Sequence, residues 1–253
     1  MIKPKKQLGQ NFLNSGKIAE KIASFAPADI KMVLEVGPGK GILTKSLLEK
    51  GFSVIAVEKD NELIPFLEDK FQSEIKSGKL ELVNKDALKF SLYGNYSIVS
   101  NIPYYITGAL IKHFLEAENQ PNSIVLLVQK EVAERIVEKD KKSSILSVSV
   151  KIYGDPKIVL KVPARFFTPQ PKVDSAVIQI TNIKNPFKNE KEKTRFFKLL
   201  KTGFSHKRKK LISNLKPFAP EEKLQKTFQS LGILNARAEE LSKEKWWQLF
   251  RAL

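Results

Sequence analysis

The chain of 253 residues contains no cysteine and only two histidines, His113 and His206. The lack of cysteine excludes disulfides, thiolate metal sites and a cysteine nucleophile. Two histidines so far apart in sequence argue against a histidine-rich centre, so we expect no bound metal. No continuous apolar run is long enough to span a bilayer, which predicts no membrane role. Residues 1–7 lack the apolar segment of a secretory signal, and we expect a soluble, cytoplasmic protein.

Positive charge is abundant, with a formal net charge of +17. Residues 188–253 hold 17 Lys and Arg against 7 Asp and Glu. This excess predicts a polyanionic partner, because Lys and Arg that neutralise phosphates drive salt-dependent binding of nucleic acids. One alternative is a lysine-rich solvated surface, as in heat-adapted proteins. An anionic membrane is disfavoured, since no basic amphipathic helix with a strong apolar face stands out.

Strand-like and helix-like runs alternate through the first two-thirds of the chain. The apolar, β-rich runs are Met32–Val36, Ser53–Glu58, Leu80–Asn84, Ser97–Ser100, Ser123–Gln129, Lys157–Val162 and Ser175–Thr181. Stretches with apolar residues at helical spacing lie between several of them, at Ile42–Glu49, Glu62–Lys70 and Leu110–Glu116. This alternation predicts the α/β class, with a parallel sheet covered on both faces. Ser143–Tyr153 fits either a strand by propensity or a helix by spacing.

Asn185-Pro186 marks a predicted domain boundary. Beyond it, four helix-like stretches are separated by Gly, Pro and Asn, at Thr194–Gly203, Lys207–Leu215, Glu221–Leu231 and Lys243–Leu253. We therefore predict an α/β domain over residues 1–184 and a small, basic helical domain over residues 185–253. Trp246 and Trp247 are able to stack on bases, but packing of the terminal helix is the favoured role for both.

Three strand ends carry groups suited to a nucleotide. Gly37 and Gly39 follow the first strand in a turn that glycine lets approach a ligand closely. Glu58 ends the second strand, where a carboxylate can accept both hydroxyls of a ribose. Asp86 ends the third strand and can accept the amine of an adenine. Each acid alone is more often a cap or a solvated loop residue, but all three strands end at the edge where open α/β sheets bind ligands.

The fourth strand runs into Asn101–Tyr105, with the sequence NIPYY. The Asn side chain and a Pro-fixed carbonyl can accept hydrogen bonds, and a Tyr ring can stack on a base. These groups can hold an exocyclic amine such as N6 of adenine. On the motif alone, a strand-to-helix turn with an Asn cap explains the residues equally well.

The order of these motifs resembles that of S-adenosylmethionine-dependent methyltransferases, and more narrowly the KsgA family of ribosomal RNA adenine dimethyltransferases. The matching stretches are Gln10–Leu13, Glu35–Thr44, Glu58, Asp86-Ala87, Asn101–Thr107, Val128–Arg135 and Val162–Val177. Erm enzymes, which methylate large-subunit RNA, share the scaffold. The longer runs NIPYYIT and PKVDS favour KsgA.

This resemblance implies a Rossmann-like sheet of seven strands with the last one antiparallel, and a helix at Ser143–Tyr153. It implies S-adenosylmethionine as methyl donor, bound by residues that include Asn11, Leu13, Gly37, Gly39, Glu58, Asp86 and Asn101. It also implies two adjacent adenosines near the 3′ end of small-subunit (16S) rRNA as the substrate, during assembly of the small ribosomal subunit. A monomer is expected.

Four residues are expected to act on the target base. The Asn101 side chain and the carbonyl of Ile102 or Pro103 would accept hydrogen bonds from the adenine amine. Tyr104 would stack on the extruded base. Phe167 is the expected second ring, with Phe166 less favoured and core packing as the alternative for either.

Cations are expected to contact the RNA backbone at Lys207, Arg208, Lys209 and Lys210. Because four consecutive residues cannot share one helix face, about half of them should touch phosphate. Lys3, Lys5 and Lys6 are a second expected contact. Three other functions remain open: an Erm-type enzyme, a non-catalytic RNA-binding assembly factor, and a disfavoured DNA adenine methyltransferase.

Overall fold

The computed structural model describes residues 4–5, 8–138 and 142–253. Its described residues form two compact units. The first unit runs up to Ala133 and resumes at Gly154–Lys184; the second combines Glu134–Tyr153 with Asn185–Leu253. The predicted boundary after residue 184 coincides with one limit of this division. The division also assigns Glu134–Tyr153, which the sequence placed in the first domain, to the second unit.

Nine strands are found in the described part of the chain: β1 (Phe12–Leu13), β2 (Met32–Val36), β3 (Ser53–Glu58), β4 (Leu80–Asn84), β5 (Tyr96–Asn101), β6 (Ser123–Gln129), β7 (Asp155–Val162), β8 (Phe167–Thr168) and β9 (Ser175–Thr181). Seven of them form one sheet in the order β4-β3-β2-β5-β6-β9-β7. The neighbours from β4 to β6 are parallel, whereas β9 is antiparallel to both β6 and β7. The predicted seven-stranded sheet with an antiparallel last strand is confirmed.

The central strands are buried on both faces, as the continuous apolar runs predict. In β6, each residue of Ile124–Val128 is at most 1% exposed. Such strands need helices on both sides of the sheet. The chain order reverses beside β2, which has β3 on one side and β5 on the other. Ligands bind at such a switch point, outside the carboxyl ends of the strands.

Six α-helices of the described residues begin in the first unit: α1 (Gly16–Ala23), α2 (Ile42–Glu49), α3 (Ile64–Lys70), α4 (Gln72–Lys76), α5 (Thr107–Leu115) and α6 (Lys130–Val137). The helix α1 was not predicted, although Ser15 caps it by accepting from the Ile18 N–H and Ile22 is fully buried. The pairing of β1 with β8 was also not predicted. Two-residue strands are too short for a periodic signal.

The second unit is helical, with α7 (Ile145–Lys151), α8 (Glu190–Gly203), α9 (Leu211–Asn214), α10 (Glu221–Ser230) and α11 (Lys243–Ala252). The helix expected at Ser143–Tyr153 is confirmed, and a capping box between Ser144 and Ser147 begins it. Trp246 is fully buried. A Cβ at Gly203 would lie 2.4 Å from the Trp246 ring, so only glycine lets α8 approach α11 this closely.

No helix in the described residues is long and apolar enough to cross a membrane.

Candidate active site

The glycine turn after β2 brings the backbone close to the ends of neighbouring strands. Gly37 and Gly39 have positive φ angles of 67° and 58°. A Cβ at Gly39 would lie 2.9 Å from the Phe12 ring, so a larger residue would be strained and would also push against β1. The Gly39 N–H donates to Glu58 Oε2 at 3.3 Å. The turn is therefore joined to the end of β3.

Glu58 is held at the floor of the site. Its side chain also accepts a hydrogen bond at Oε1 from the Asp60 N–H at 2.9 Å. Glu58 is 6% exposed, and this burial raises the pKa of its carboxyl group, while the two backbone donors oppose the rise. A fixed carboxylate with remaining lone pairs can accept hydroxyl groups.

Glu35 is a second buried acid of the site; it begins one of the stretches that match the family, but the sequence had given it no role. It is 1% exposed and accepts a hydrogen bond at Oε2 from Thr44 Oγ1 at 2.6 Å. Burial raises the pKa of Glu35 to about 8, so its carboxyl group is mostly protonated at pH 7. The available signal was an acid inside the apolar run Met32–Val36.

Asp86 follows β4 and stays ionised. Its Oδ2 accepts from Lys59 Nζ at 2.9 Å, and its Oδ1 accepts from the Leu88 N–H at 3.0 Å. The hydrogen bond from Lys59, with that from Leu88, holds the pKa of Asp86 below its usual range. Lys59 is a further residue of the site that the sequence motifs did not indicate.

Asn101 ends β5 with its amide oriented by the N-terminal segment. Its Nδ2 donates to the Asn11 carbonyl oxygen at 3.3 Å. Within the part of the chain that the structure describes, Asn101 Oδ1 has no hydrogen-bond partner. The carboxamide is thus fixed through its donor and keeps its acceptor free.

The turn after Asn101 is rigid. Pro103 has a φ of −56° and precedes a short 3-10 turn over Tyr104–Ile106. The Tyr104 hydroxyl group forms a hydrogen bond with Ser175 Oγ at 2.7 Å, and burial raises the pKa of this phenol. Ser175 thereby fixes the position of the Tyr104 ring.

The structure brings most of the predicted site residues together around one cavity of about 230 Å³ in the first unit. Those lining it are Asn11, Leu13, Gly37, Gly39, Glu58, Asp86, Asn101, Pro103 and Tyr104. No group of acids and histidines able to hold a metal occurs in the described residues.

Phe167 is placed differently from these residues. It does not line the cavity, is 2% exposed, and belongs to the hydrophobic core around Leu13 and Val177. As part of β8 it is opposite Leu13. In this structure its ring packs in the core, and its expected stacking on the target base stays a prediction. Phe166 is more exposed, and the Arg165 guanidinium lies 5.2 Å from the centre of its ring.

The basic run lies in the second unit, in a turn rather than in the predicted helix. The helix α9 begins only at Leu211, so the expected helix at Lys207–Leu215 was wrong for its first four residues. The cause is Asn214, whose Nδ2 donates to the carbonyls of Gly203 and His206 and closes the turn. Lys207–Lys210 are exposed, and Lys210 Nζ donates to Asn235 Oδ1 at 2.8 Å.

Comparisons with known sequences give a consistent result. The family model for ribosomal RNA adenine dimethylase matches residues 1–253. A protein of Dehalococcoides mccartyi named ribosomal RNA small subunit methyltransferase A is 40% identical, covering 98% of this chain and 88% of its own. A protein of the same name from Mycoplasmopsis pulmonis is also 40% identical, over 100% of both chains.

Two solved structures are similar along nearly the whole chain. A dimethyladenosine transferase from Plasmodium falciparum gives a TM-score of 0.80 at 26% identity, covering 94% of this chain and 95% of that one. The 23S rRNA methyltransferase ErmE gives a TM-score of 0.77 at 27% identity, covering 96% and 99%. With a family match over its full length and relatives 40% identical to it, this chain belongs to the ribosomal RNA adenine dimethylase family.

Proposed function

We propose that this enzyme transfers methyl groups from S-adenosylmethionine to N6 of two adjacent adenosines near the 3′ end of small-subunit rRNA, giving N6,N6-dimethyladenosines during subunit assembly. The observation that carries the proposal is the free Oδ1 of Asn101, on a rigid turn next to Tyr104 and in the same cavity as Glu58 and Asp86. The relatives named small subunit methyltransferase A support the choice of RNA.

The donor groups of the cavity fit S-adenosylmethionine. Glu58 would accept the ribose hydroxyls, and the ionised Asp86 would accept the adenine amine. The Gly37–Gly41 turn has positive φ angles at Gly37 and Gly39, a conformation that lets its backbone approach the cofactor closely. Bound there, S-adenosylmethionine supplies an electrophilic methyl group on a good leaving group. No metal or strong base is then required of the chain.

Adenine N6 is a poor nucleophile, and a hydrogen bond to Asn101 would make it more reactive. The lone pair of this nitrogen is delocalised into the ring. Hydrogen bonds from the amine to Asn101 Oδ1 and to a carbonyl of the Ile102-Pro103 turn favour a pyramidal nitrogen with a directed lone pair. Catalysis then rests on positioning and on fixed dipoles.

Tyr104 would hold the base while the amine reacts. Its hydroxyl group is fixed by Ser175, so the ring is oriented before the base arrives. Stacking on such a ring is worth about 1–3 kcal/mol per base. The target adenosine must leave its stack to reach the cavity. An assembling ribosomal subunit as substrate implies a cytoplasmic enzyme, and a monomer suffices because one chain supplies all of these residues.

The assay that tests the proposed function is transfer of a labelled methyl group to small ribosomal subunits that lack the modification. We expect the label in N6,N6-dimethyladenosine of the small-subunit RNA, at two adjacent positions. Label in large-subunit RNA alone would indicate an Erm-type enzyme, the alternative that the similarity to ErmE supports. Absence of label from both RNAs would favour a non-catalytic assembly factor, and activity on duplex DNA a DNA methyltransferase.

We further propose that Lys207–Lys210 contact the RNA backbone. Replacing all four by Ala should weaken RNA binding and lower the magnitude of its salt slope by about 1–2, if two phosphates lose their partners. The measurement is RNA affinity as a function of salt. A matched control replaces four other exposed cations of the second unit by Ala, namely Lys188, Lys191, Lys198 and Lys201. Equal losses in both variants would contradict a contact localised at the basic run.

A further inference from the structure

Asp60, two residues beyond the end of β3, is bound by the N-terminal part of the chain. Its side chain is 3% exposed. Its Oδ1 accepts from Lys5 Nζ at 2.6 Å, and its Oδ2 accepts from Gln10 Nε2 at 2.8 Å. The Lys5 N–H in turn donates to Gln10 Oε1 at 2.8 Å. These three residues therefore form a closed ring of hydrogen bonds.

The N-terminal lysines were expected to contact RNA. Lys5 Nζ lies 3.0 Å from Glu62 Oε1 as well, so in this structure it is paired with two carboxylates. Lys3 and Lys6 lie outside the described residues.

The segment fixed by this ring forms one wall of the cavity. All residues of Leu8–Leu13 line it. Within this segment, the Asn11 carbonyl orients the Asn101 amide, and Gly9 lies against the Tyr105 ring, where an added Cβ would be 3.0 Å away. Movement of the segment would therefore change both the enclosure of the cavity and the orientation of Asn101.

The segment is held at both ends. Its C-terminal end is the strand β1, paired with β8 through Phe12 and Leu13. Its N-terminal end is attached through the ring of hydrogen bonds formed by Lys5, Gln10 and Asp60. Asp60 also donates its backbone N–H to Glu58 Oε1, so one loop positions both Glu58 and the segment Leu8–Leu13. A two-residue strand alone is a weak attachment, since it contributes few hydrogen bonds.

We propose that Asp60 is a positioning residue, which holds the segment Leu8–Leu13 against the cofactor through Lys5 and Gln10. This inference rests on the proposed function only in taking the cavity as the S-adenosylmethionine site. A buried carboxylate has a desolvation cost and is a poor choice for packing alone, because it needs its partners in place. The partners of this carboxylate are two side chains of the N-terminal part of the chain and the Glu62 N–H.

The test is Asp60→Asn, which keeps the size of the side chain but replaces one carboxylate oxygen by an NH2 group. This donor would face Lys5 Nζ or Gln10 Nε2, which are donors themselves. We expect the Kd for S-adenosylmethionine, measured by calorimetry, to rise about tenfold from the loss of a charged hydrogen bond. At saturating cofactor, kcat should fall less than the affinity does, because Asn101 stays at the end of β5 and its amide is only less firmly oriented. Amide hydrogens of Leu8–Leu13 should exchange faster in the variant. A general loss of stability would instead reduce the active fraction without raising Kd.

Gln10→Ala provides a second route, since this half-exposed side chain can be removed with less risk to folding. The double variant should bind the cofactor about as weakly as the weaker single variant, because both changes open the same ring. Asp69→Asn, the same change at an exposed position of α3, is the matched control and should bind as wild type does. Wild-type affinity in Asp60→Asn, or additive losses in the double variant, would overturn the inference. Failure of the proposed function would appear separately, as wild-type enzyme that binds cofactor but forms no dimethyladenosine.

Discussion

Asn101→Ala is expected to lower kcat for methyl transfer about a hundred- to a thousandfold, the effect of removing one fixed dipole that acts in the transition state. The free Oδ1 is the group that is lost, since Nδ2 is already committed to the Asn11 carbonyl. Affinity for RNA should be nearly unchanged, because Tyr104 and the basic run remain. Cofactor affinity should fall less than kcat, as Glu58 and Asp86 stay in place. Single-turnover methylation of small subunits, with separate binding measurements, gives each quantity.

Asn95→Ala is the matched control for this variant. Asn95 is an exposed residue in the loop before β5, and its replacement should leave kcat unchanged. If Asn101→Ala bound RNA and also kept full turnover, the proposed role of the amide would be wrong. If the wild-type enzyme bound RNA and cofactor without turnover, the chain would be an assembly factor instead.

Glu58→Ala is expected to weaken binding of S-adenosylmethionine about a hundredfold or more. The variant loses hydrogen bonds to a charged group worth about 1.5–3 kcal/mol each, and it leaves the N–H groups of Gly39 and Asp60 without their acceptor. Glu58→Gln keeps one acceptor oxygen and should have an intermediate Kd. Calorimetric titration with S-adenosylhomocysteine measures the effect without turnover. Glu68→Gln, at an exposed site on α3, is the control and should bind normally.

The raised pKa of Glu58 leads us to expect that cofactor affinity depends on pH. Burial raises the pKa of Glu58, so its protonation begins at a higher pH than for an exposed glutamate. The ionised form is the better acceptor, and wild-type affinity should therefore fall as the pH is lowered through this raised pKa. Glu58→Gln should lack this step. A Glu58→Gln variant with wild-type affinity and an unchanged pH profile would exclude Glu58 as a ribose ligand.

Local patterns predicted the sheet well, and the reason is physical. Strands such as β2, β3 and β6 are buried on both faces, so each must be a continuous apolar run with recognisable limits. The carboxyl ends of β3, β4 and β5 meet at one edge of a parallel sheet, which is why Glu58, Asp86 and Asn101 were expected to lie together. The helix α7 was different, since its β-branched residues matched two patterns and only the family resemblance chose between them.

Three features depended on contacts that do not follow the spacing of a helix or a strand. Burial of Phe167 is a consequence of pairing between β8 and β1, which are more than 150 residues apart. The turn at Lys207–Lys210 depends on Asn214 binding two carbonyls. The hydrogen bond from Lys5 to Asp60 joins residues 55 positions apart. None of these contacts leaves a periodic signal within a short window.

Local patterns were enough to predict the order of strands along the chain, the acids and the amide at the strand ends, and the basic character of the C-terminal part. Each of these follows from residue type and local spacing, which fix burial and charge. The folded structure was needed to show which aromatic rings line the cavity and how the Asn101 amide is turned. It also decided that Asp60 anchors the N-terminal wall, because the direction of a side chain is set by partners that folding brings from elsewhere in the chain.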